Sequence, residues 1–139
     1  AVIRSAAGAS ATGVIVPAHG SVQVTPAVCR SSAGMVEHLP VAVVPNLARY
    51  LAEIKRDDLW SYAATAEAPQ TMWQTDLTGG VALVFGAEGK GVRPLVRKTC
   101  DATVSIPLAA GVESLNVSVA TAVLLYEARR QRTVRPAPG

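Results

Sequence analysis

Short apolar runs alternate with helix-like segments along almost the whole chain. The runs have five or six residues, and most of them end with Pro or are followed by Pro or Gly, which is typical of buried strands; one candidate, Trp60–Thr65, has a mixed pattern. One run, Val81–Phe85, is apolar throughout, as the central strand of a parallel sheet is. The predicted strands are Gly13–Pro17, Leu39–Val44, Trp60–Thr65, Val81–Phe85 and Ala102–Ile106.

The segments between these runs carry helix signals. Thr25 as N-cap, Pro26 in the first turn and Gly34 as the stop predict a short helix. The segment Ala1–Ala9 is interpreted as the end of a short helix. Further helices are predicted after Asn46, with Leu47, Leu51 and Ile54 on one stripe, over Pro94–Lys98, and from Ser114 to about Arg130. The alternation of strands and helices predicts an α/β domain with a parallel sheet and helices on both faces.

The last predicted helix has almost no polar face, because Leu, Val and Ala occupy most of its positions from Leu115 to Leu125. A helix that is apolar all round is buried on all sides. In a small domain this predicts a subunit interface, and hence a homodimer through the last helix. We assign residues 1–131 to one domain and 132–139, which are basic and Pro-rich, to a disordered tail.

Composition narrows the class of protein. The chain has 139 residues, of which 50% are hydrophobic and 17% charged, so one globular domain is expected. A net charge of +3 permits an anionic partner without requiring one. Cys29 and Cys100 do not make a disulfide framework or a metal site, and no segment approaches a membrane span, so we expect a cytoplasmic protein without a metal.

The loop GAEGKG (86–91) follows a predicted strand, as nucleotide-binding loops do. Its glycines do not follow the dinucleotide pattern, and Gly91 stands where a phosphate loop needs Ser or Thr. A bare backbone can instead approach a flat ligand closely. Together with the ends of Trp60–Thr65 and Ala102–Ile106, this loop is expected to form a crevice at the carboxyl edge of the sheet. Glu88 in the loop could form a surface ion pair with Lys90 or Arg93, which spacing alone favours, or it could be a site residue.

Other polar residues leave the same choice open. Asn116 on an apolar helix and Arg4 in a small-residue segment each need a partner, and each is more often structural than functional. His19 and His38 are assigned to loops because no metal ligand lies at a suitable spacing from them. Trp60 and Trp73 could stack a base, although a packing role is the favoured interpretation.

Two motifs, LVFGAEGKGVR and SIPLAAGVESLNVSVA, resemble those of the SpoU (TrmH) group of the SPOUT methyltransferases. The earlier IRSA, with Arg4, is similar to the end of that family's first motif. The segment SSAGMVEHLPVAVVPNLARYL is similar to the subgroup that methylates a guanosine ribose of 23S ribosomal RNA. The resemblance covers about residues 1–132.

The resemblance implies an S-adenosylmethionine-dependent RNA 2′-O-methyltransferase, a homodimer, and a deep C-terminal trefoil knot. By motif position it implies Arg4, Glu88, Ser114 and Asn116 as catalytic residues, with Glu88 holding Arg4 or the substrate. The residues implied for the cofactor are Thr65, Ala66, Gly86, Gly89, Ile106, Leu108, Leu115 and Asn116. The implied partner is large-subunit ribosomal RNA, and no metal is implied.

The chain departs from the family at its beginning, since the first strand and the Asn before the arginine motif are not in this sequence. We therefore expect an N-terminally truncated domain. The alternatives are an enzyme of the same family that acts on transfer RNA or confers antibiotic resistance through ribosomal RNA. An alternative of another class is a non-catalytic knotted dimer that binds RNA.

Overall fold

A computed structural model describes residues 2–18, 27–30, 39–86, 91–112 and 114–134. Within these ranges one six-stranded sheet is flanked by helices. The strands are β1 (Gly13–Pro17), β2 (Ala27–Arg30), β3 (Val41–Val44), β4 (Leu59–Ala64), β5 (Gly80–Val84) and β6 (Ala102–Val104). The helices are α1 (Val2–Gly8), α2 (Leu47–Glu53), α3 (Pro94–Thr99) and α4 (Val117–Val134).

The strand order is β3-β1-β2-β5-β4-β6, and its two ends are parallel: β1 pairs with β3, and β4 pairs with both β5 and β6. The five predicted strands are confirmed within one or two residues, as is the helix capped by Asn46, whose side chain accepts from the Arg49 amide at 3.0 Å. The α/β class is therefore confirmed.

The prediction for the segment 25–34 was wrong, because residues 27–30 form β2 instead of a helix. This strand runs antiparallel to both β1 and β5, so the sheet is mixed and not wholly parallel. The connection 18–26 is too short for the crossover of about a dozen residues that a parallel neighbour of β1 would need. A strand in this position also pairs the backbone of β1 and β5, which a short helix could not do.

The two faces of the sheet pack against different helices. Val81, Leu83 and Phe85 point to the side covered by α1 and α4, where they pack with Leu124 and Leu125. Val84 points to the opposite side and packs with Leu47 and Leu51 of α2. This alternation is the period of two that a strand buried on both faces must have. The expected helices on both faces are therefore present.

The helix α4 begins at Val117 and not at Ser114, because Asn116 caps it. The Asn116 side-chain oxygen accepts from the Ser118 amide at 2.9 Å, and its carbonyl accepts from the Ala120 amide at 2.8 Å. At the other end the helix continues to Val134, so residues 132–134 are helical rather than disordered. Val119 and Tyr126 are about half exposed, so one side of α4 is uncovered in the single chain.

Gln131 fixes α4 to the loop between β4 and β5. Its side-chain oxygen accepts from the Leu77 amide at 2.7 Å, and its amide nitrogen lies 3.2 Å from the Met72 carbonyl and 3.0 Å from the Thr75 carbonyl. Arg132 donates to the carbonyl of Gly79 in the same loop. The loop 72–79 lacks regular structure, so these side chains satisfy backbone groups that a strand or helix would otherwise pair.

The carboxylate of Glu127 completes this contact. It is buried, and it accepts from Arg130 at 2.8 and 3.0 Å and from Gln131 at 2.8 Å. The hydrogen bond from Arg130 is the main reason that the pKa of Glu127 is lowered, against the opposing effect of burial. Glu127 therefore stays ionised and keeps Gln131 oriented toward the loop. None of the helices in the described ranges combines the length and apolar character that a bilayer crossing needs.

Replacing Gln131 with Ala is expected to lower the free energy of unfolding by about 1–3 kcal/mol, because the Leu77 amide and two carbonyls lose their partner in a partly buried place. Urea unfolding followed by circular dichroism measures this change. Thr133→Ala is the control, since Thr133 is exposed on the same helix and, among the described residues, its hydroxyl donates to the Arg129 carbonyl of its own helix. An equal loss in both variants would mean that the contact with the loop contributes nothing.

Candidate functional site

A cleft of about 970 Å³ lies at the carboxyl ends of β4, β5 and β6. This volume is within the range of small-molecule sites. Its described walls come from the loops that follow the three strands, from the start of α4 and from one residue of α3. The lining residues are Ala64, Thr65, Ala66, Glu67, Phe85, Gly86, Gly91, Val92, Arg97, Val104, Ser105, Ile106, Pro107, Leu108, Val112, Ser114, Leu115, Asn116, Val117 and Ala120.

Strand register explains why these loops meet. Ala63 of β4 is paired with Val84 of β5, and Ala64 is paired with Val104 of β6. All three strands are parallel and end at nearly the same level, so each releases its loop at the same edge of the sheet. The Thr65 amide then donates to the Val104 carbonyl at 3.0 Å, which extends the pairing up to the cleft.

A polar cluster at the other end of β4 holds this register. One carboxylate oxygen of Asp101 accepts from the Ser61 amide at 2.8 Å, and the other accepts from Lys55 at 3.0 Å. Burial alone would raise the pKa of Asp101, but the hydrogen bonds from Ser61 and Lys55 outweigh it and lower the pKa. The neighbouring Cys100 is a free thiol whose pKa burial raises to about 11, so this cysteine is unreactive at neutral pH.

The loop after β5 closes on itself through two glycines. A Cβ on Gly86 would overlap the carbonyl group of Gly91 and the amide nitrogen of Val92. Gly91 has a φ of +68°, a conformation that other residues rarely adopt. The two ends of GAEGKG are therefore in contact, and they bring bare backbone to the cleft wall.

The third wall is the segment from Ser105 to Asn116. The Ser105 amide donates to the Gln70 carbonyl at 3.1 Å, and its carbonyl accepts from the Met72 amide at 2.8 Å. The segment then turns at Gly111, where φ is +88°, and reaches Asn116, the cap of α4. The position of α4 therefore determines where Ser114 and Leu115 lie against the cleft.

The hydroxyl of Thr65 is the unusual polar group of this cleft. Its oxygen is buried, and it has no hydrogen-bond partner among the residues that the structure describes. Leaving such a group unpaired costs roughly 1–3 kcal/mol. A ligand with a hydroxyl, amine or ring nitrogen would remove this cost, so the cleft suits a ligand that is partly polar.

Charge in the described lining is limited to one pair, Glu67 and Arg97. Nowhere in the described part of the chain do three His, Cys, Asp or Glu side chains come close enough to hold a metal ion. The remaining walls are apolar side chains, backbone groups and the uncharged polar side chains of Thr65, Ser105, Ser114 and Asn116. Such a cleft can bind a flat, weakly charged ring system between its walls, with backbone N–H and C=O groups reading its polar edge.

Several of the predicted site residues come together here: Thr65, Ala66, Gly86, Ile106, Leu108, Ser114, Leu115 and Asn116 all line the cleft. Arg4 does not, because it is exposed on α1 and absent from the described lining. Glu88, Gly89, His19 and His38 lie outside the described residues.

The sequence analysis missed Glu67 and Arg97. Glu67 directly follows Ala66, and that adjacency was the one available signal. Arg97 reaches the cleft only because of how α3 packs, so spacing could not reveal it. Trp60 is half exposed and Trp73 is 67% exposed, so neither is a buried core residue, and their packing role stays a prediction.

The domain has a mixed α/β sheet with a partly apolar cleft over the ends of three parallel strands. The loop after one of these strands begins and ends with touching glycines and does not have the sequence of a phosphate loop, which defines a small-molecule-binding domain of another kind. Comparison of the sequence with family models identifies the particular class. The model described as the SpoU rRNA Methylase family matches residues 1–126, and the chain belongs to that family.

Individual relatives agree with this assignment. The chain is 47% identical over 135 residues to the 23S rRNA (guanosine-2'-O-)-methyltransferase RlmB of Pseudomonas putida, covering 97% of this chain and 54% of the relative. It is 48% identical over 134 residues to the RlmB of Xylella fastidiosa, covering 96% and 54%. The chain therefore spans about half the length of these curated relatives.

A solved structure is also similar. The SpoU methyltransferase AviRb from Streptomyces viridochromogenes, in complex with the cofactor AdoMet, superposes with a TM-score of 0.77 at 28% identity. The match covers 95% of this chain and 52% of AviRb.

Gly86→Ala is expected to destabilise the domain by about 1–3 kcal/mol, because the added methyl group has no room beside the Gly91 backbone. Gly79→Ala is the matched control, since a Cβ there meets nothing within 4 Å and the φ of Gly79 is not positive. This control should be neutral or stabilised by up to about 1 kcal/mol. Denaturant unfolding of the three proteins measures the difference, and a Gly86→Ala variant as stable as the control would contradict the contact.

Proposed function

We propose that the chain is the methyl-transferring domain of an S-adenosylmethionine-dependent RNA ribose 2′-O-methyltransferase, and that its substrate is a guanosine of 23S ribosomal RNA. The observation that carries this proposal is the cleft itself: three strand-end loops surround a partly apolar space that contains a buried, unpartnered Thr65 hydroxyl. The similar AviRb structure, solved with AdoMet, supports the same cofactor here.

The residues of the cleft fit the nucleoside part of this cofactor. Ile106, Leu108 and Leu115 offer apolar surface for a flat base, and Gly86 offers backbone without a side chain in the way. The Thr65 hydroxyl would gain the hydrogen bond that it lacks among the described residues. Ala66, beside Thr65, and Gly89, in the loop 86–91, would complete the binding surface.

The bound cofactor supplies a methyl group on a positively charged sulfur, which is already a good electrophile. The chain then has to align a ribose hydroxyl with that methyl group and to manage the hydroxyl proton. Asn116 and Ser114 would order this part of the site, since the Asn116 side chain already fixes the first turn of α4. Glu88 would hold Arg4 or the substrate.

Arg4 is assigned to the substrate and not to proton removal. A guanidinium stays protonated in proteins, so it is a poor base but a good ligand for phosphate and for a developing alkoxide. Because Arg4 is absent from the described lining of its own cleft, we assign this role to α1 of a second copy that faces the site.

A homodimer through α4 is therefore part of the proposal, and the half-exposed Val119 and Tyr126 on that helix support it. The trefoil knot implied by the family resemblance is a further part of the proposal, with the C-terminal segment threaded through a loop. A ribosomal RNA substrate also implies that the protein acts in the cytoplasm, where ribosomes are made.

The choice of substrate rests on the relatives named above, which carry the 23S rRNA guanosine activity in their names and match at least 96% of this chain. Since the chain spans about half of each relative, recognition of the RNA remains proposed. A transfer RNA or another ribosomal nucleotide would be the alternative outcome of the same assay.

Incubating the protein with S-adenosylmethionine labelled in the methyl group and with bacterial 23S ribosomal RNA tests this function. We expect label in 2′-O-methylguanosine after nuclease digestion and chromatography, because the cleft would hold the donor and the ribose hydroxyl would attack it. Transfer RNA in a parallel reaction is the control. Label on a base, or on transfer RNA alone, would contradict the proposal.

The Arg4→Ala variant, in the same assay and in a cofactor titration, separates methyl transfer from cofactor binding. This variant should lose methyl transfer while keeping its affinity for the cofactor, because Arg4 lies outside the described cleft lining. An equal loss of both properties would exclude the role assigned to Arg4.

A further inference from the structure

One ion pair joins two different walls of the cleft. Glu67 belongs to the loop after β4, and Arg97 belongs to α3, which follows the glycine loop of β5. The Nη1 atom of Arg97 lies 4.0 Å from the Oε2 atom of Glu67. Within the described lining these are the charged side chains, so the cation and the anion of the cleft stand next to each other.

This pair contributes little to folding. The Arg97 side chain is 45% exposed and the Glu67 side chain 74% exposed, and their separation is at the outer limit for a salt bridge. Exposed ion pairs of this kind are weak, so the two groups can separate at small cost. A surface pair of no further use would look the same, and only its position over the cleft distinguishes it.

The arrangement matches a ligand that carries both charges on neighbouring atoms. An α-amino acid end has a carboxylate and an ammonium on one carbon, and it could replace the contact between Arg97 and Glu67 with two new ion pairs. The apolar walls suit the nucleoside part of such a ligand, whereas its charged end belongs at the solvent-exposed rim, because burying unpaired charge is costly.

We propose that Arg97 binds the carboxylate and Glu67 the ammonium of the amino-acid end of the cofactor, an inference that rests on the proposed function. The guanidinium presents a planar pair of N–H donors that matches a carboxylate, and a lysine could not reproduce this geometry. The two residues are then binding residues that determine how the donor is oriented in the cleft.

Isothermal titration of two ligands tests the inference without any turnover. S-adenosylhomocysteine carries the amino-acid end, whereas 5′-methylthioadenosine has the same nucleoside thioether without it. Arg97→Gln and Glu67→Gln should each lower the affinity for S-adenosylhomocysteine by at least about fivefold, as expected for the loss of a partly exposed charged hydrogen bond. Both variants should bind 5′-methylthioadenosine within about twofold of the unaltered protein. Lys98→Gln, exposed on the same helix and absent from the described lining, is the matched control and should change neither affinity.

Four results would overturn the inference. Unchanged affinity for S-adenosylhomocysteine in both variants would leave the pair as a surface contact, although the proposed function would survive. An equal loss of affinity for both ligands would mean that the substitutions disturb the whole cleft and not a subsite for the amino-acid end. A higher affinity of Glu67→Gln for S-adenosylhomocysteine would mean that Arg97 binds the carboxylate while Glu67 does not bind the ammonium. If the unaltered protein bound neither ligand, the proposed function would fail as well.

Discussion

The cleft depends on the parallel pairing of β4 with two neighbours at once. Ala63 pairs with Val84 of β5 and Ala64 pairs with Val104 of β6, so the three strands end together. A shift of one residue would turn every side chain to the opposite face of the sheet. Asp101, held by Ser61 and Lys55 near the start of this pairing, opposes such a shift.

The helix α4 links the cleft to the rest of the domain. Its first residues are set by Asn116 at the cleft wall, and near its end Gln131 is bonded to the loop that leads into β5. A ligand that binds only the folded cleft would stabilise the whole domain by mass action. Binding and folding are therefore coupled through one helix, although the cleft and the Gln131 contact lie at its opposite ends.

Much of the fold could be predicted from the sequence because several strands are short runs rich in Val, Ile, Leu and Ala that end at Pro or Gly, of which Val81–Phe85 is apolar throughout. The antiparallel β2 could not, since a Thr-Pro start and a Gly stop are local signals of a helix, whereas strand pairing is decided by distant partners. The start of α4 was misplaced for a similar reason. Ser114 and Asn116 are both good caps, and only the fold determines which of them is used.

The candidate site divides in the same way. Loops that follow strands are visible in a sequence, so Thr65, Gly86 and Ile106 were expected at one edge of the sheet. Side chains that reach the cleft from a neighbouring helix, such as Arg97, depend on packing and have no signal in spacing. That the Thr65 hydroxyl has no partner among the described residues could not be predicted either, because other threonines such as Thr75, Thr78 and Thr121 do find partners.

The most direct test of the cleft as a cofactor site is a titration with S-adenosylhomocysteine followed by two-dimensional NMR of the uniformly ¹⁵N-labelled protein. The account predicts that the backbone amides of Thr65, Ala66, Gly86, Ile106 and Leu115 shift together with one dissociation constant, while those of β1 and β3 stay in place. Shifts confined to β1 and β3, or none at saturating ligand, would contradict it.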